Sequence, residues 1–317
     1  MGYLIAFTLS SICPTKLRPK FPFTSMLGET YELIFEHQQK KVQFISEKIT
    51  VVPSITAFHC MSDFFELWGT DIKETNYWGK SIEIQPQGNT YFKIFGENTY
   101  VFSNAYTIKI SNLEGENPEM CLEGSISFRN LETKDSGEVT FIKGSMSFSE
   151  HNFTGFIKNS KGEKKFSLFG IWGSKFILEN VNSKKVFDLW EGEDMQGLEI
   201  LQQSHYPEFT INLNALNEKL LEKLPLTDSR FRGDIRALEL GEIKFAHEEK
   251  MRIEKKNQEK ESTRKNSKAK LFSKFPRFFE KKEGNSFMRE FNFKGEYWKI
   301  RDVDKGFEKD DEYNDLF

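Results

Sequence analysis

Hydrophobic and polar positions alternate through most of the first two thirds of the chain. The runs "NTYFKIFG", "SISFRN", "GSMSFSEHNFTGFI" and "KFSLFGIWG" set aromatic or branched residues at every second position, punctuated by Gly and Asn. A period of two with this residue choice predicts half-buried antiparallel strands. The pattern holds from Tyr31 to about Asp188, with no amphipathic helical period competing. It predicts a large all-β body, either a sandwich or a barrel. A barrel of that size fills its interior with its own side chains or encloses a ligand.

From Phe209 the period changes. "FTINLNALNEKLLEKL" puts Leu213, Leu216, Leu220, Leu221 and Leu224 at helical spacings and stops before Pro225. "DSRFRGDIRALELGEIKFAHEEKMRIEKKNQEKESTRK" predicts a second helical region with a charged face and a break at Gly241. "NSKAKLFSKFPRFFEKKEGNSF" is basic, with Phe272, Phe275, Phe278 and Phe279 interleaved. Two readings stand for it: a solvated helix end, or a segment that meets a membrane surface through Lys, Arg and Phe together. The tail "EKDDEYNDLF" reads as acidic and mobile.

Composition narrows the class. A chain of 317 residues has room for one large domain or two ordinary ones. A net charge of -3 argues against whole-protein nucleic-acid binding. Cys13, Cys60 and Cys121 show no CxxC spacing and no histidine at ligand spacing, which fits reduced thiols in a cytosolic protein. The opening "YLIAFTLSSIC" is about half of what spans a bilayer. It also lacks the basic start of a secretory signal. "MGYLIA" has no Ser or Thr at position six, against myristoylation. The chain reads as soluble.

Enzyme signatures are missing. There is no GxSxG elbow, GxxxxGK[ST] loop or HExxH pair, and no metal-ligand or cofactor motif. His37, His59, His151, His205 and His247 are scattered, and the carboxylates beside His247 read as the solvent face of a charged helix.

Five stretches, in order, resemble the ligand-binding domain of the oxysterol-binding protein family. "MLGETYEL" is similar to the family's LLGETYE. "EKITVVPSITAFH", Glu47 to His59, sits where the family carries EQVSHHPP followed by ISAFHAE. "FELWGTDIKETNYWGKSIEIQPQG" follows the family's next strands. "LPLTDSRFRGDIRALELGEIKFAHEEKMRIEKKNQ" resembles LPPTDSRLRPDQRALENGD and the helix beyond it, and "EYWKIR" matches the closing Tyr-Trp. The segment from about Thr99 to Phe153 is the weakest match. The opening segment lies on the family's AFAVSGYAST and KPFNP region, keeping Arg18, and the chain begins after the position of the family's lid.

The resemblance implies a mainly β fold with C-terminal helices: a large incomplete antiparallel barrel enclosing a lipid-sized tunnel. One domain would cover 1–317, with a helix remnant and mouth loop at 1–30, the barrel at 31–208 and a helical, basic region with an acidic tail at 209–317. The family carries lipids between membranes, with sterol and phosphatidylinositol 4-phosphate competing for one tunnel in many members. Its phosphate-holding residues map here as follows. The Lys and Asn of KPFNP become Phe21 and Thr24, with Lys20 one residue away. The His-His pair becomes Val51 and Val52, two residues that read simply as strand positions packing inward. The Lys, Glu and Arg of the later helix become Lys250, Glu254 and Gln258, while the backbone around Leu27, Gly28 and Glu29 is kept. "SHYPEF", Ser204 to Phe209, mimics the His signature but stands ahead of the Leu-rich run, in the wrong place.

Each lost imidazole, guanidinium or ammonium (at Val51, Val52, Gln258 and Phe21) removes a charge-assisted hydrogen bond of about 1.5–3 kcal/mol. Four such losses amount to about 6 kcal/mol, or about four decades in affinity. The expected function is therefore binding and transfer of a sterol or other weakly polar lipid, with phosphoinositide recognition weakened. The alternative is a non-transporting membrane-docking or protein-interaction module that keeps the fold and fills the interior with Phe. The expected partners are the lipid and, transiently, organelle membrane surfaces in the cytoplasm; no cofactor or nucleic acid is expected, and the protein is expected to be a monomer.

Overall fold

A computed structural model of the chain describes residues 1–12, 23–37, 39–114, 119–142, 152–192, 212–266, 276–282, 290–303, 306–307 and 316–317. The chain divides into two compact units, one of Met1–Phe21, Phe64–Leu67 and Asp71–Glu199, the other of Pro22–Asp63, Trp68–Thr70 and Ile200–Phe317.

The first unit is an antiparallel sheet with a helix packed on it. Helix α1 spans Gly2–Ile12. Its strands are β4 (Phe65–Trp78, of which 68–70 belong to the second unit), β5 (Ser81–Gln87), β6 (Asn89–Ile94), β7 (Thr99–Ser111), β8 (Glu119–Asn130), β9 (Ser136–Phe141), β10 (Asn152–Lys158), β11 (Lys164–Ile171), β12 (Lys175–Asn180) and β13 (Val186–Glu191). β4 pairs β5, β5 pairs β7, and from β7 to β13 each strand pairs the next; β6 pairs β4 and β7. The long alternating stretch is therefore a run of local hairpins.

Asparagine sets three of those hairpins. The Asn130 side chain accepts from the Glu132 and Thr133 amides, at 3.0 Å each, where β8 turns into β9. Asn180 does the same for Asn182 and Ser183 between β12 and β13, and Asn159 for Lys161 and Glu163 between β10 and β11. An Asn side chain that stands in for a backbone acceptor stabilises a tight reversal, so each strand run stops at its Asn. Gly124 inside β8 has φ 96, and a Cβ there would meet the Ala105 carbonyl oxygen at 2.6 Å. Only glycine allows β7 and β8 so close.

Leu4, Ile5, Ala6 and Leu9 of α1 join Phe102, Ile126, Phe128, Val139, Phe153, Leu168, Trp172 and Phe176 in one buried cluster. Thr8, a polar residue on that face, returns its hydroxyl to the Leu4 carbonyl at 2.9 Å and so is buried without an unmade bond. The rings pack obliquely: Phe153 meets Phe176 edge-on at 5.1 Å, and Phe176 stacks on Trp190 at 4.6 Å. Phe102, Phe128, Phe141, Phe153 and Phe176 are the phenylalanines buried in this core.

The second unit begins with β1 (Thr30–His37), β2 (Lys40–Thr50) and β3 (Ser54–Ser62), an antiparallel meander. It continues with α2 (Glu218–Leu221), a single 3-10 turn at Ser229–Phe231, α3 (Gly233–Glu239), α4 (Ile243–Asn266), the short hairpin β14 (Phe279–Lys281) and β15 (Phe291–Phe293), and α5 (Glu296–Asp302). The break expected at Gly241 is present, with φ 78 between α3 and α4.

Two expectations are corrected here. The Leu-rich stretch is not one helix: within its described part, Asn217 takes an extended backbone and its side chain accepts from the Leu220 amide, opening a new four-residue α2. An Asn that caps a helix start ends whatever preceded it, and this stretch holds three of them, Asn212, Asn214 and Asn217. In the basic run, Phe278 and Phe279 do not face outward; each is 1 % exposed, Phe278 packed against Tyr297 and Phe307 and Phe279 against Phe293. Phe272 and Phe275 lie outside the described residues.

Candidate functional site

The second unit holds the expected lipid-headgroup residues from Thr24 onward, and their framework is a set of buried charges. "TDSRFRGD", Thr227 to Asp234, supplies most of it. Arg230 grips Asp228 through two nitrogens at 2.8 and 2.9 Å and donates to the Glu32 carbonyl at 2.9 Å. Arg232 is 1 % exposed and fully engaged: two bonds to Asp234, at 3.0 and 2.7 Å, one to Glu29 at 2.8 Å and one to the Thr24 carbonyl at 2.9 Å. Thr30 pairs with Thr227 through both hydroxyl and backbone. Glu32 in turn accepts from the Tyr297 hydroxyl at 2.8 Å and from Arg301. Burial pushes the Glu29 and Glu32 carboxyls above the ordinary carboxylate range, while their arginines pull the other way. Buried charges persist only when paired this fully, and removing one partner typically costs about 3–5 kcal/mol.

This framework fixes the loop that precedes β1. Arg232 holds Thr24 and Glu29 from one side. From the other, the Gly28 amide donates to the Lys48 carbonyl at 2.9 Å and the Lys48 amide to the Glu29 carbonyl at 2.8 Å. The Glu29 amide closes back on Met26 at 2.9 Å, and the Met26 amide donates to the Glu29 carboxylate at 2.8 Å. The Gly28 and Glu29 backbone donors thus already have acceptors inside the protein, and Glu29 is a buried ion-pair member. Leu27 is half-buried and Thr24 exposed.

Lys48 stands three residues before the turn that joins β2 to β3. Val51 and Val52 occupy that turn, 51 % and 90 % exposed. They do not pack inward as strand residues. The cause is Pro53, which has no amide to offer a ladder. Thr50 bonds to the Pro53 carbonyl across the reversal, and the Lys48 ammonium bonds to the Ser54 hydroxyl at 2.6 Å just beyond it. Two apolar side chains are held on a braced tip.

On α4, Lys250 and Glu254 face each other at 3.7 Å, both half-buried, and the Lys250 ammonium lies 6.0 Å from the Phe23 ring. Gln258, one turn on, is exposed. The structure therefore brings Thr24, the Leu27–Glu29 turn, Lys250 and Glu254 into one unit and puts the two valines at its β2–β3 turn. Lys20 and Phe21, and the "SHYPEF" stretch through Pro207 and Phe209, lie outside the described residues. A single half-buried cation beside an aromatic ring suits one negative charge; valine and glutamine add no cationic donor.

Sequence reading missed the chemistry of Glu47. Its side chain is 1 % exposed, and its two oxygens accept from the Arg277 and Phe278 amides at 2.6 and 2.8 Å. Burial pushes its carboxyl up to about 7, against the pull of those amides and of Arg277 and Lys294. The missed signal was an acidic residue in the interior half of an alternating strand. Cys60, on β3, is a buried thiol pushed up to about 11 by desolvation. His247 and Glu248 face solvent, as expected, and Glu249 bonds to Arg252. No helix among the described residues is long and apolar enough to cross a membrane.

Comparison with known proteins gives a consistent relation. The family described as "Oxysterol-binding protein" matches residues 1–302. Oxysterol-binding protein-related protein 1B of Arabidopsis thaliana is 32% identical over 308 residues, covering 94% of this chain and 58% of its own length. Oxysterol-binding protein-related protein 6 of Homo sapiens is 33% identical over 317 residues, covering 98% of this chain and 33% of its own. The chain thus spans between a third and three fifths of the length of these two relatives. Among solved structures, the Osh3 ORD in complex with PI(4)P from Saccharomyces cerevisiae superimposes with a TM-score of 0.75 at 28% identity, covering 99% of this chain and 80% of that one. The Osh1 ORD domain in complex with cholesterol gives 0.78 at 24% identity, with 99% and 76% covered, a likeness of fold. The chain belongs to the oxysterol-binding protein family, and its fold is the mainly β fold with C-terminal helices of those domains.

Proposed function

We propose that this member of the oxysterol-binding protein family binds a sterol or another weakly polar lipid and transfers it between membranes, holding phosphatidylinositol 4-phosphate weakly. It acts as a carrier and not an enzyme, as a monomer in the cytoplasm that docks transiently on organelle membranes. Family membership supports the lipid-carrying half of the reading, as does the PI(4)P that the Osh3 relative holds. The β2–β3 turn supports the other half. Where the family signature has two imidazoles, Val51 and Val52 present apolar surface, and a phosphate dianion beside them would shed water without gaining a donor. Lys250, and Lys20 by sequence, remain as cations for a single charge. Sterol recognition rests on shape and apolar burial with few polar contacts, so it tolerates these losses.

Native mass spectrometry tests the reading. The purified protein is incubated with mixed liposomes of sterol, phosphatidylserine and phosphatidylinositol 4-phosphate. One stoichiometric sterol-sized adduct is expected. A folded protein that stays empty would refute the carrier reading and favour a docking module without cargo, a role the phenylalanine-filled core of the first unit also suits.

A further inference from the structure

Residues far apart in sequence meet on α4. The Lys256 ammonium donates to the Phe317 carbonyl oxygen at 2.6 Å, and the Asn257 side-chain amide donates to the Leu316 carbonyl at 3.3 Å. Asn257 also returns to the Ile253 carbonyl at 2.9 Å, so its orientation is fixed from both ends. The Phe317 ring lies 5.9 Å from the Arg232 guanidinium carbon, and the Phe23 ring lies 5.8 Å from the same carbon. Arg232 is thus flanked by an aromatic ring from the mouth loop and another from Phe317.

The position along the helix matters. Lys250, Glu254 and Asn257 follow at i, i+4 and i+7, so they share one stripe of α4 with the buried Ile253. The Leu316–Phe317 pair is held on the turn next to the Lys250–Glu254 pair, beside Gln258. The polar contacts there are backbone carbonyls of this chain on a lysine and an asparagine, the kind of donors an acidic headgroup would also seek.

We infer that Lys256, Asn257 and the Arg232 guanidinium form a docking site on α4 for a Leu-Phe segment, filled within the molecule by Leu316–Phe317. This occupant competes with an acidic phospholipid headgroup for the Lys250 stripe. The competition rests on the lipid-binding reading proposed above; the docked segment does not.

Two measurements separate these parts. The first is hydrogen–deuterium exchange of the full chain and of a Leu316→Ala, Phe317→Ala double variant, read over peptides covering 250–257. The variant removes the ring that packs over Arg232 and anchors the pair; release of the pair, and with it of its two carbonyl contacts to Lys256 and Asn257, should speed exchange there about tenfold. Phe317→Tyr should leave it unchanged, since the ring over Arg232 remains. Unchanged exchange in the double variant would overturn the docking site. The second is flotation with phosphatidylcholine vesicles carrying phosphatidylinositol 4-phosphate. The double variant should bind up to about tenfold more tightly than the parent. Equal or weaker binding, or none by either protein, would overturn the competition. A parent that takes no lipid cargo in mass spectrometry would instead sink the carrier reading, with the exchange result standing on its own.

Discussion

Glu47→Gln is the most informative substitution because it isolates one buried ionisation. In the folded chain the Glu47 carboxyl titrates at about 7, against an ordinary 4.5. The folded form therefore holds its proton more tightly than the unfolded form does. Stability from this group is complete below about pH 4.5 and is lost as pH rises through about 7. The gap between those values corresponds to about 3 kcal/mol, most of which falls between about pH 5 and about pH 8. Glutamine removes the titration: its oxygen still accepts one of the two amides, while its NH2 cannot accept the other, a cost that does not depend on pH. Urea unfolding of parent and variant at both pH values gives the test. The difference in stability between them should move by about 2–3 kcal/mol in the variant's favour as pH rises. Subtracting one protein from the other removes the similarly raised Glu29 and Glu32 from the comparison. A difference independent of pH, or one that moves toward the parent, would refute the claim that Glu47 is buried and desolvated.

Three further outcomes follow from the geometry. Arg232→Met should destabilise the chain by about 3–5 kcal/mol in chemical denaturation, because Glu29 and Asp234 would be left buried without the guanidinium that bonds to both. Val51→His with Val52→His should raise affinity for phosphatidylinositol 4-phosphate in vesicle flotation by at least about tenfold, since one charge-assisted bond is worth that much; no gain would mean that Phe21, Thr24 and Gln258 dominate. Phe153→Ala, in the core under α1, should lower stability by about 3–5 kcal/mol, measured by the same unfolding.

The β body was legible because alternation writes itself into sequence, and Asn130, Asn159 and Asn180 marked its reversals. The single helix read across Asn212–Leu224 failed for the same chemical reason: leucine spacing measures a buried face, but an asparagine's side chain offers the backbone another partner, and capping won at Asn217. Val51 and Val52 looked like strand because β-branched residues favour strands, whereas the missing amide of Pro53 decides that the ladder stops there. Lys250 and Glu254 came from the family resemblance, and the structure sets them as an i, i+4 pair on α4. The rest of the framework was not, because Arg230 and Arg232 satisfy themselves two residues away and then reach Glu32 and Glu29, about two hundred positions earlier. Nothing in a linear pattern distinguishes such arginines from solvated ones.

That separation in sequence sets an order on synthesis. The pairs Thr30–Thr227 and Glu29–Arg232 join positions 197 and 203 apart. The hairpins from β7 to β13 each close within a few dozen residues of emerging. At typical translation speeds of about 5–20 residues per second, the Glu29 loop and β1 therefore leave the ribosome about 10–40 seconds before their ionic partners exist. During that interval Glu29 and Glu32 are solvated carboxylates on an unfinished strand, and the charge that later must be buried keeps the nascent edge hydrated.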